Sequence, residues 1–302
     1  MKDISNKIKT LRTARARAIL FARPETIQLV VEGKAPKGDP LSVAKVAAVQ
    51  AAKNTSQFIP YCHPIPIDFV DCTFKLGSDF IEITTEVKAV YKTGVEMEAL
   101  TAAATAALTV YDMLKIVDER MEIKGVKLLE KHGGKSDFME ELGRQVRAAV
   151  LVMSDSISAG KKQDTAGRHI VERLREVRME VVDCKIIPDD QKLIEKTLID
   201  YSDTQHLDLV ITTGGTGLSK TDVTPEAMRN VVEKEIPGIV EAARKHGQER
   251  VPVAMLSRGI AGKRGSTIIV NLPGSRKAVE ESLDAILMGL LHAFRMIRGE
   301  GH

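Results

Sequence analysis

Residues 97–114, Met-Glu-Ala-Leu-Thr-Ala-Ala-Ala-Thr-Ala-Ala-Leu-Thr-Val-Tyr-Asp-Met-Leu, constrain the fold more than any other stretch of the 302-residue chain. Ala, Leu and Met dominate and no Gly or Pro interrupts, so the stretch is predicted to be helical. Side chains this small let neighbours approach closely, which places the helix in a core. Yet Glu98, Thr105, Thr109 and Asp112 recur at spacings of seven, four and three. On a helix of ~3.6 residues per turn they share one stripe, with Lys115 a turn beyond Asp112. Carboxylates on an apolar helix are costly unless paired or used. An Asp112–Lys115 pair and solvated glutamates would explain any one of them. Four polar residues on one face point to a site.

The length fits two domains, and the patterning places them at residues 1–141 and 142–302. Before the boundary, 10–21 alternates as a strand with one polar face that includes Arg15. A helix follows from Pro24 to Gly33. A second, capped by Asp39 or Ser42, runs to about Lys53. The prolines around His63 hold it in a stiff loop, and 68–76 with 79–90 reads as a hairpin about Gly77-Ser78. After the long helix come a strand at 121–129, the Lys131-His-Gly-Gly-Lys135 turn and a polar, helical joint at 138–145. This is an α+β domain, with helices packed on an antiparallel sheet.

Beyond Val146 the pattern changes. Residues 147–154 form a near-continuous apolar run, as in a buried parallel strand. Helices at 165–177, 191–201 and 275–297 then alternate with strands at 180–187, 207–213 and 267–271. Such βα alternation indicates a doubly wound, mostly parallel α/β sheet, with ligands beyond the carboxyl ends of its strands.

Composition closes off several function classes. Residues 1–143 carry 20 Lys and Arg against 19 Asp and Glu, and the remainder 24 against 22, so neither half is a basic domain. With no Trp and 4% aromatics there are few stacking platforms, and nucleic acid is not an expected partner. No apolar run approaches ~18–20 residues and the first residues form no signal peptide, so no membrane partner is expected. Cys62, Cys72 and Cys184 show no CxxC spacing, which predicts a reducing cytoplasm without disulfides or a zinc site.

In the first half the candidate acids, bases and anion binders are Lys37, His63, Glu96, Glu98, Asp112, Lys115, Lys131 and Lys135. Each lies at a turn or on the polar stripe. Lysines beside carboxylates suit a phosphorylated substrate and a proton donor tuned towards neutrality. Five motifs in order then carry a resemblance: Lys37-Gly-Asp39, Tyr61-Cys-His-Pro64, Lys92-Thr-Gly-Val-Glu-Met-Glu-Ala-Leu-Thr101, Tyr111-Asp-Met-Leu-Lys115 and Gly133-Gly-Lys-Ser136. From about Asp3 to Asp137 the chain resembles the cyclic pyranopterin monophosphate synthases of the MoaC family. The resemblance implies a ferredoxin-like fold and a hexamer with sites between subunits. It implies conversion of a cyclised dihydro-GTP to cyclic pyranopterin monophosphate, with release of pyrophosphate. By motif, Lys37, Asp112, Lys115 and Lys131 would be the acid–base residues. Arg15, Tyr61, Cys62, His63, Glu96, Met97, Glu98 and Lys135 would lie at the substrate. Asp137 stands where a glycine commonly follows the serine.

In the second half, Gly214-Gly-Thr-Gly217 ends a strand, where small residues let backbone N–H groups approach a phosphate. Asp222-Val-Thr-Pro225 follows at once, with a helix start at Thr224 that Asp222 could equally cap. Pro273-Gly-Ser275, Asp189-Asp190 and Ser154-Asp155 end three more strands, and helix capping would account for one of Asp189 and Asp190. These pieces, with Glu235-Ile-Pro-Gly238 and Leu256-Ser-Arg258, resemble the molybdopterin-binding MogA/MoaB family over about 146–297. That implies transfer of AMP from Mg-ATP to the terminal phosphate of molybdopterin. By motif, Asp189 and Asp222 would be the catalytic carboxylates and would hold Mg²⁺. Ser154, Asp155, Gly214, Gly215, Thr216, Gly217, Thr224, Pro273, Gly274 and Ser275 would bind the ligand. Mg²⁺ and ATP are then the expected cofactors, neither bound tightly. Ala166 departs from the family, which commonly has a serine there. The rival within this half is a molybdopterin-binding scaffold without catalysis. A dinucleotide oxidoreductase is disfavoured because the glycines lack GxGxxG spacing. Three-fold symmetry common to both halves would permit a homohexamer acting on pterins and nucleotides.

Overall fold

The computed structural model describes residues 1–138, 144–297 and 299. The chain divides into two compact units after Phe138. The predicted boundary between 141 and 142 lies outside the described residues, as do residues 139–143 of the joint expected to be helical.

The first unit runs β1 (Thr10–Phe21), α1 (Pro24–Val31), α2 (Pro40–Phe58), β2 (Phe69–Leu76), β3 (Phe80–Tyr91), α3 (Glu96–Leu114) and β4 (Glu122–His132). All pairings are antiparallel, in the order β2-β3-β1-β4. With α1 and α2 in the first crossover and α3 in the second, this is the split βαβ of a ferredoxin-like fold. Alternation sorts β1 into two faces. Ala14, Ala16, Ala18 and Leu20 are fully buried. On the opposite face Arg15 pairs with Glu130 at 2.9 Å and Arg17 with Glu82 at 3.2 Å across the strands. The buried face joins one core with Ala44, Ala48 and Ala52 of α2 and Ala99, Ala102, Ala103 and Ala106 of α3. The alanines predicted to permit close approach are the contact surface. Lys131 and His132, expected in a turn, instead complete β4, and the turn begins at Gly133.

The second unit contains β5 (Arg147–Met153), α4 (Asp155–Ser158), α5 (Ala166–Glu176), β6 (Glu180–Ile187), α6 (Gln191–Ile199), β7 (Leu209–Thr213), α7 (Thr224–Val231), β8 (Lys234–Glu235), α8 (Pro237–Gln248), β9 (Ala261–Arg264), β10 (Thr267–Leu272) and α9 (Arg276–Ile297). The sheet order is β6-β5-β7-β10-β9-β8, parallel from β6 to β10 and antiparallel in the last two strands. Alternate residues of β5 feed two cores: Ala148, Val150 and Val152 one, Ala149, Leu151 and Met153 the other. That double burial is why the strand reads as a continuous apolar run. The antiparallel edge was not foreseen, because β8 has two residues and Ala-Gly-Lys-Arg in β9 carries no apolar alternation. Helix α8 was not foreseen either. Ala166, the first residue of α5, lies in the core at 4% exposure.

Candidate active sites

In the first unit the candidate residues fall into two groups at opposite ends of α3. At its C-terminal end, Lys37 Nζ donates to Asp112 Oδ2 and to the Asp112 carbonyl, both at 2.9 Å. Lys115 Nζ meets Asp112 Oδ1 at 2.6 Å. These two lysines hold the Asp112 carboxyl at about 2, and Asp112 in turn raises Lys115. Local sequence fixes Lys37. Gly38, at φ +89°, turns the chain, and Asp39 caps α2 by accepting from the Leu41 N–H at 2.9 Å.

At the N-terminal end of α3, Glu96 pairs with Lys131 of β4 at 3.0 Å. Glu98 is 3% exposed, and burial, with the Glu96 carboxylate adding to it, pushes its carboxyl up to about 7. The Cys62 thiol is raised by burial and by Glu98, so the Tyr61-Cys-His63 loop belongs to this end. His63 is half-buried, whereas Tyr61 and Met97 are exposed. The turn after β4 is closed by Asp137, whose Oδ2 accepts from the Gly133 N–H at 2.6 Å. A Cβ on Gly133 would lie 1.8 Å from the Leu11 carbonyl oxygen, so only glycine fits there. The Lys135 side chain lies outside the described residues. Arg15 joins neither group, being held by Glu130 on the sheet.

The fourteen residues from Glu98 to Asp112 span ~21 Å of helix axis. The stripe is therefore real, but it does not make one site within one chain. Arg12 was missed. Its Nε donates to the Tyr91 carbonyl at 3.3 Å, and burial lowers it, with the Glu96 and Asp137 carboxylates only partly offsetting that.

In the second unit the candidates gather at the carboxyl ends of β5, β6, β7 and β10, as a parallel sheet dictates. Asp155 and Asp189 each accept from the other's backbone N–H at 3.1 Å. Burial raises the Asp189 carboxyl, and the Asp155 and Asp222 carboxylates raise it further. Asp222 Oδ2 accepts from the Ser219 N–H at 2.8 Å. Three glycines clear this space. A Cβ on Gly214 (φ +104°) would lie 2.2 Å from the Met153 carbonyl oxygen. One on Gly215 (φ +61°) would lie 2.2 Å from Thr224 Oγ1, and one on Gly217 2.8 Å from Asp222 Oδ2. Thr224 Oγ1 is buried with no hydrogen-bond partner among the described residues. Gly274 packs on Gly214, and Thr213 Oγ1 donates to the Pro273 carbonyl at 2.7 Å. Ser275 Oγ accepts from the Ala278 N–H at 3.3 Å and so caps α9. Ser154 Oγ caps α4. Asp190, not Asp189, caps α6 by accepting from the Leu193 N–H at 2.8 Å.

Sequence reading missed Arg258 as a site residue. Its Nε donates to the Gly217 carbonyl at 2.7 Å, Nη1 to Glu226 at 2.5 Å and Nη2 to the Asp222 carbonyl at 2.5 Å. One guanidinium thus holds both ends of the loop that presents Thr216 and Asp222. The Leu256-Ser-Arg258 motif was the available signal.

The MoaC family matches residues 1–134, and a family described as a probable molybdopterin binding domain matches residues 149–293. A molybdenum cofactor biosynthesis bifunctional protein from Chlorobaculum tepidum is 40% identical over 100% of this chain and 96% of its own. This chain belongs to the family of bifunctional molybdenum cofactor biosynthesis proteins. A cyclic pyranopterin monophosphate synthase from Thermomicrobium roseum is 52% identical over 45% of this chain and 83% of its own. The molybdopterin biosynthesis enzyme MoaB from Thermus thermophilus, a solved structure, is 43% identical. It covers 51% of this chain and 98% of its own, with a TM-score of 0.49. The unit that matches the MoaC family thus comes first in the chain, and the unit that matches the second family follows it.

Proposed function

We propose that the first unit forms cyclic pyranopterin monophosphate from a cyclised dihydro-GTP, releasing pyrophosphate, and that its site is completed between two copies of the chain. The Lys37–Asp112–Lys115 cluster carries the reading. A carboxylate held ionised by two lysines fixes both ammonium groups side by side, where they can meet a triphosphate, and Asp112 raises Lys115 so that it holds its proton more firmly. Glu98 is the complementary group, a carboxylic acid that keeps its proton to about pH 7. The ~21 Å between these groups along α3 is too far for one substrate. Apposition of two copies, one offering each end of α3, brings them together.

We infer that the second unit transfers AMP from ATP to molybdopterin. The terminal phosphate oxygen of molybdopterin attacks the α-phosphorus, a new P–O bond forms, and pyrophosphate departs. Among the described residues no cluster of three or more protein ligands stands ready for a metal. The donor set does fit Mg²⁺, which is held by one or two carboxylates together with substrate phosphates. Asp189 and Asp222 would hold it, and its charge would neutralise the reacting phosphates. The raised Asp189 carboxyl is what a site short of positive charge produces. The Gly214–Gly217 turn brings backbone N–H groups to the phosphates, and the unpaired Thr224 hydroxyl is free to join them.

The full-length protein tests both assignments. With the cyclised dihydro-GTP, Asp112→Asn or Lys37→Ala should stay folded and lose pterin formation; a folded variant near the wild-type rate refutes the first site. With molybdopterin, ATP and Mg²⁺, mass spectrometry should find adenylylated pterin from wild type and none from Asp222→Asn. Tight molybdopterin binding by wild type without product would make the second unit a binding module.

A further inference from the structure

Beside the glycine turn, the second unit holds a half-open cavity of about 450 Å³, a size suited to a bicyclic ligand. Its walls are mostly apolar, from Val240 and Ala243 of α8 to Val253 and Leu256 of the segment that follows, and it reaches Gly217 and Ser275 at the phosphate end. Into this wall α9 sets Glu281, only 7% exposed. Among the described residues no hydrogen bond or ion pair reaches its carboxylate. Lys277, one turn earlier on α9, lines the cavity without pairing to it. Gly247 of α8 lies beside the carboxylate, a Cβ there standing 3.9 Å from Glu281 Oε2. Asn271 lines the same cavity. Its Nδ2 is spent on Thr212 Oγ1 and the Gly214 carbonyl, while its Oδ1 is buried with no partner.

The Asn271 amide oxygen is costly to leave unmet, and the Glu281 carboxylate, set in a mostly apolar wall, has no donor among the described residues. The two carboxylate oxygens thus stand at a mostly apolar cavity with no donor spent on them, beside a buried amide oxygen that is also unmet. The missing partner is a planar ligand that brings N–H donors. The 2-amino-4-oxopyrimidine edge of a pterin presents N3–H and a 2-amino N–H side by side, matching the two oxygens of a carboxylate. Adenine sets an amino group beside bare ring nitrogens, whose lone pairs would face the carboxylate.

We propose that Glu281 is the specificity-determining residue for the pterin ring, reading its amino-pyrimidine edge inside this cavity. The proposal rests on the reading that the second unit binds molybdopterin, and it places the adenine of ATP elsewhere.

The test compares full-length wild type with Glu281→Gln and Glu281→Asp, titrated with 6-hydroxymethylpterin, with the lumazine analogue that has oxygen in place of the 2-amino group, and with Mg-ATP. Any binding by the first unit is common to all three proteins. Glu281→Gln should weaken pterin binding about 10- to 100-fold, the loss expected for charge-assisted hydrogen bonds, and leave ATP affinity unchanged. The lumazine should bind weakly to wild type and variants alike. Thermal unfolding of Glu281→Gln should stay close to wild type, because the substitution removes no hydrogen bond or ion pair within the protein. Glu281→Asp keeps the charge but shortens its reach and should also lose pterin. Unchanged pterin affinity in both variants, or a loss confined to ATP, overturns the proposal. So does a change of assembly mass by light scattering at unchanged pterin affinity, which would put the carboxylate in a contact between copies. If wild type binds neither molybdopterin nor the pterin, the reading beneath the proposal is what fails.

Discussion

Glu98 and Asp112 lie on one stripe of one helix, yet their carboxyls differ by about five pH units, at about 7 and about 2. Burial separates them: Glu98 is closed in beside Cys62, whereas Asp112 stands in solvent between two ammonium groups. The Glu98 shift has a stability consequence. Below pH about 4.5 both folded and unfolded chains hold the proton, and no difference accrues. Between there and about pH 7 the unfolded chain releases it while the native state keeps it, so stability falls as pH rises. The full effect, about 3 kcal/mol, is present above pH 7. Glu98→Gln should abolish it. Unfolding of the first unit at pH 5 and pH 8 should show the wild type losing stability at the higher pH and the variant losing less. Equal losses would show that the buried carboxyl is not the cause.

At the scale of elements, one buried carboxylate ties the loop after α3 to the start of α1. Asp118, 1% exposed, accepts from the Arg23 N–H at 2.8 Å, the Arg120 N–H at 3.0 Å and Thr26 Oγ1 at 3.0 Å, and pairs with Arg23 Nε at 3.2 Å. Burial pushes this carboxyl up, but those donors outweigh it and keep it below the ordinary carboxylate range. Asp118 thereby fixes the start of α1, and with it the path to Lys37, against the loop that follows Lys115. Asp118→Ala would leave two N–H groups and a guanidinium without their acceptor. It should cost the first unit about 3 kcal/mol. Chemical denaturation should show an early loss of that unit with the second unit's transition in place. Coincident, unshifted transitions would show the network to be dispensable.

For the whole molecule, the decisive fact is that each chain carries the two ends of α3 apart. If two copies build each synthase site, Asp112→Asn and Lys131→Ala damage different contributors. Two inactive variants, mixed and reassembled, should then recover about a quarter of the wild-type rate, because random pairing leaves that share of sites intact. No recovery would mean that both groups serve one site from one chain. Light scattering adds the size, about 200 kDa for six copies of a 33.1-kDa chain.

Much of this was legible in the residues. Periodicity and glycine spacing located β1, α3 and β6, because core-facing positions, side-chain size and turn chemistry act over a few residues. The motifs pointed to Lys37, Asp189 and Asp222 at turns and strand ends and to Asp112 on the Ala-rich helix, because charged groups there stand out against apolar runs. The short antiparallel edge of β8 and β9 was invisible, since its pairing comes from β10 and not from its own pattern. Nor could spacing say that the α3 stripe feeds two clusters, or that Arg258 grips a loop more than thirty residues earlier. Glu281 reads in sequence as one more glutamate on an amphipathic helix. Only the packing of α8 and α9 around a cavity leaves it buried without a partner, because burial and pairing depend on residues that meet from distant parts of the chain.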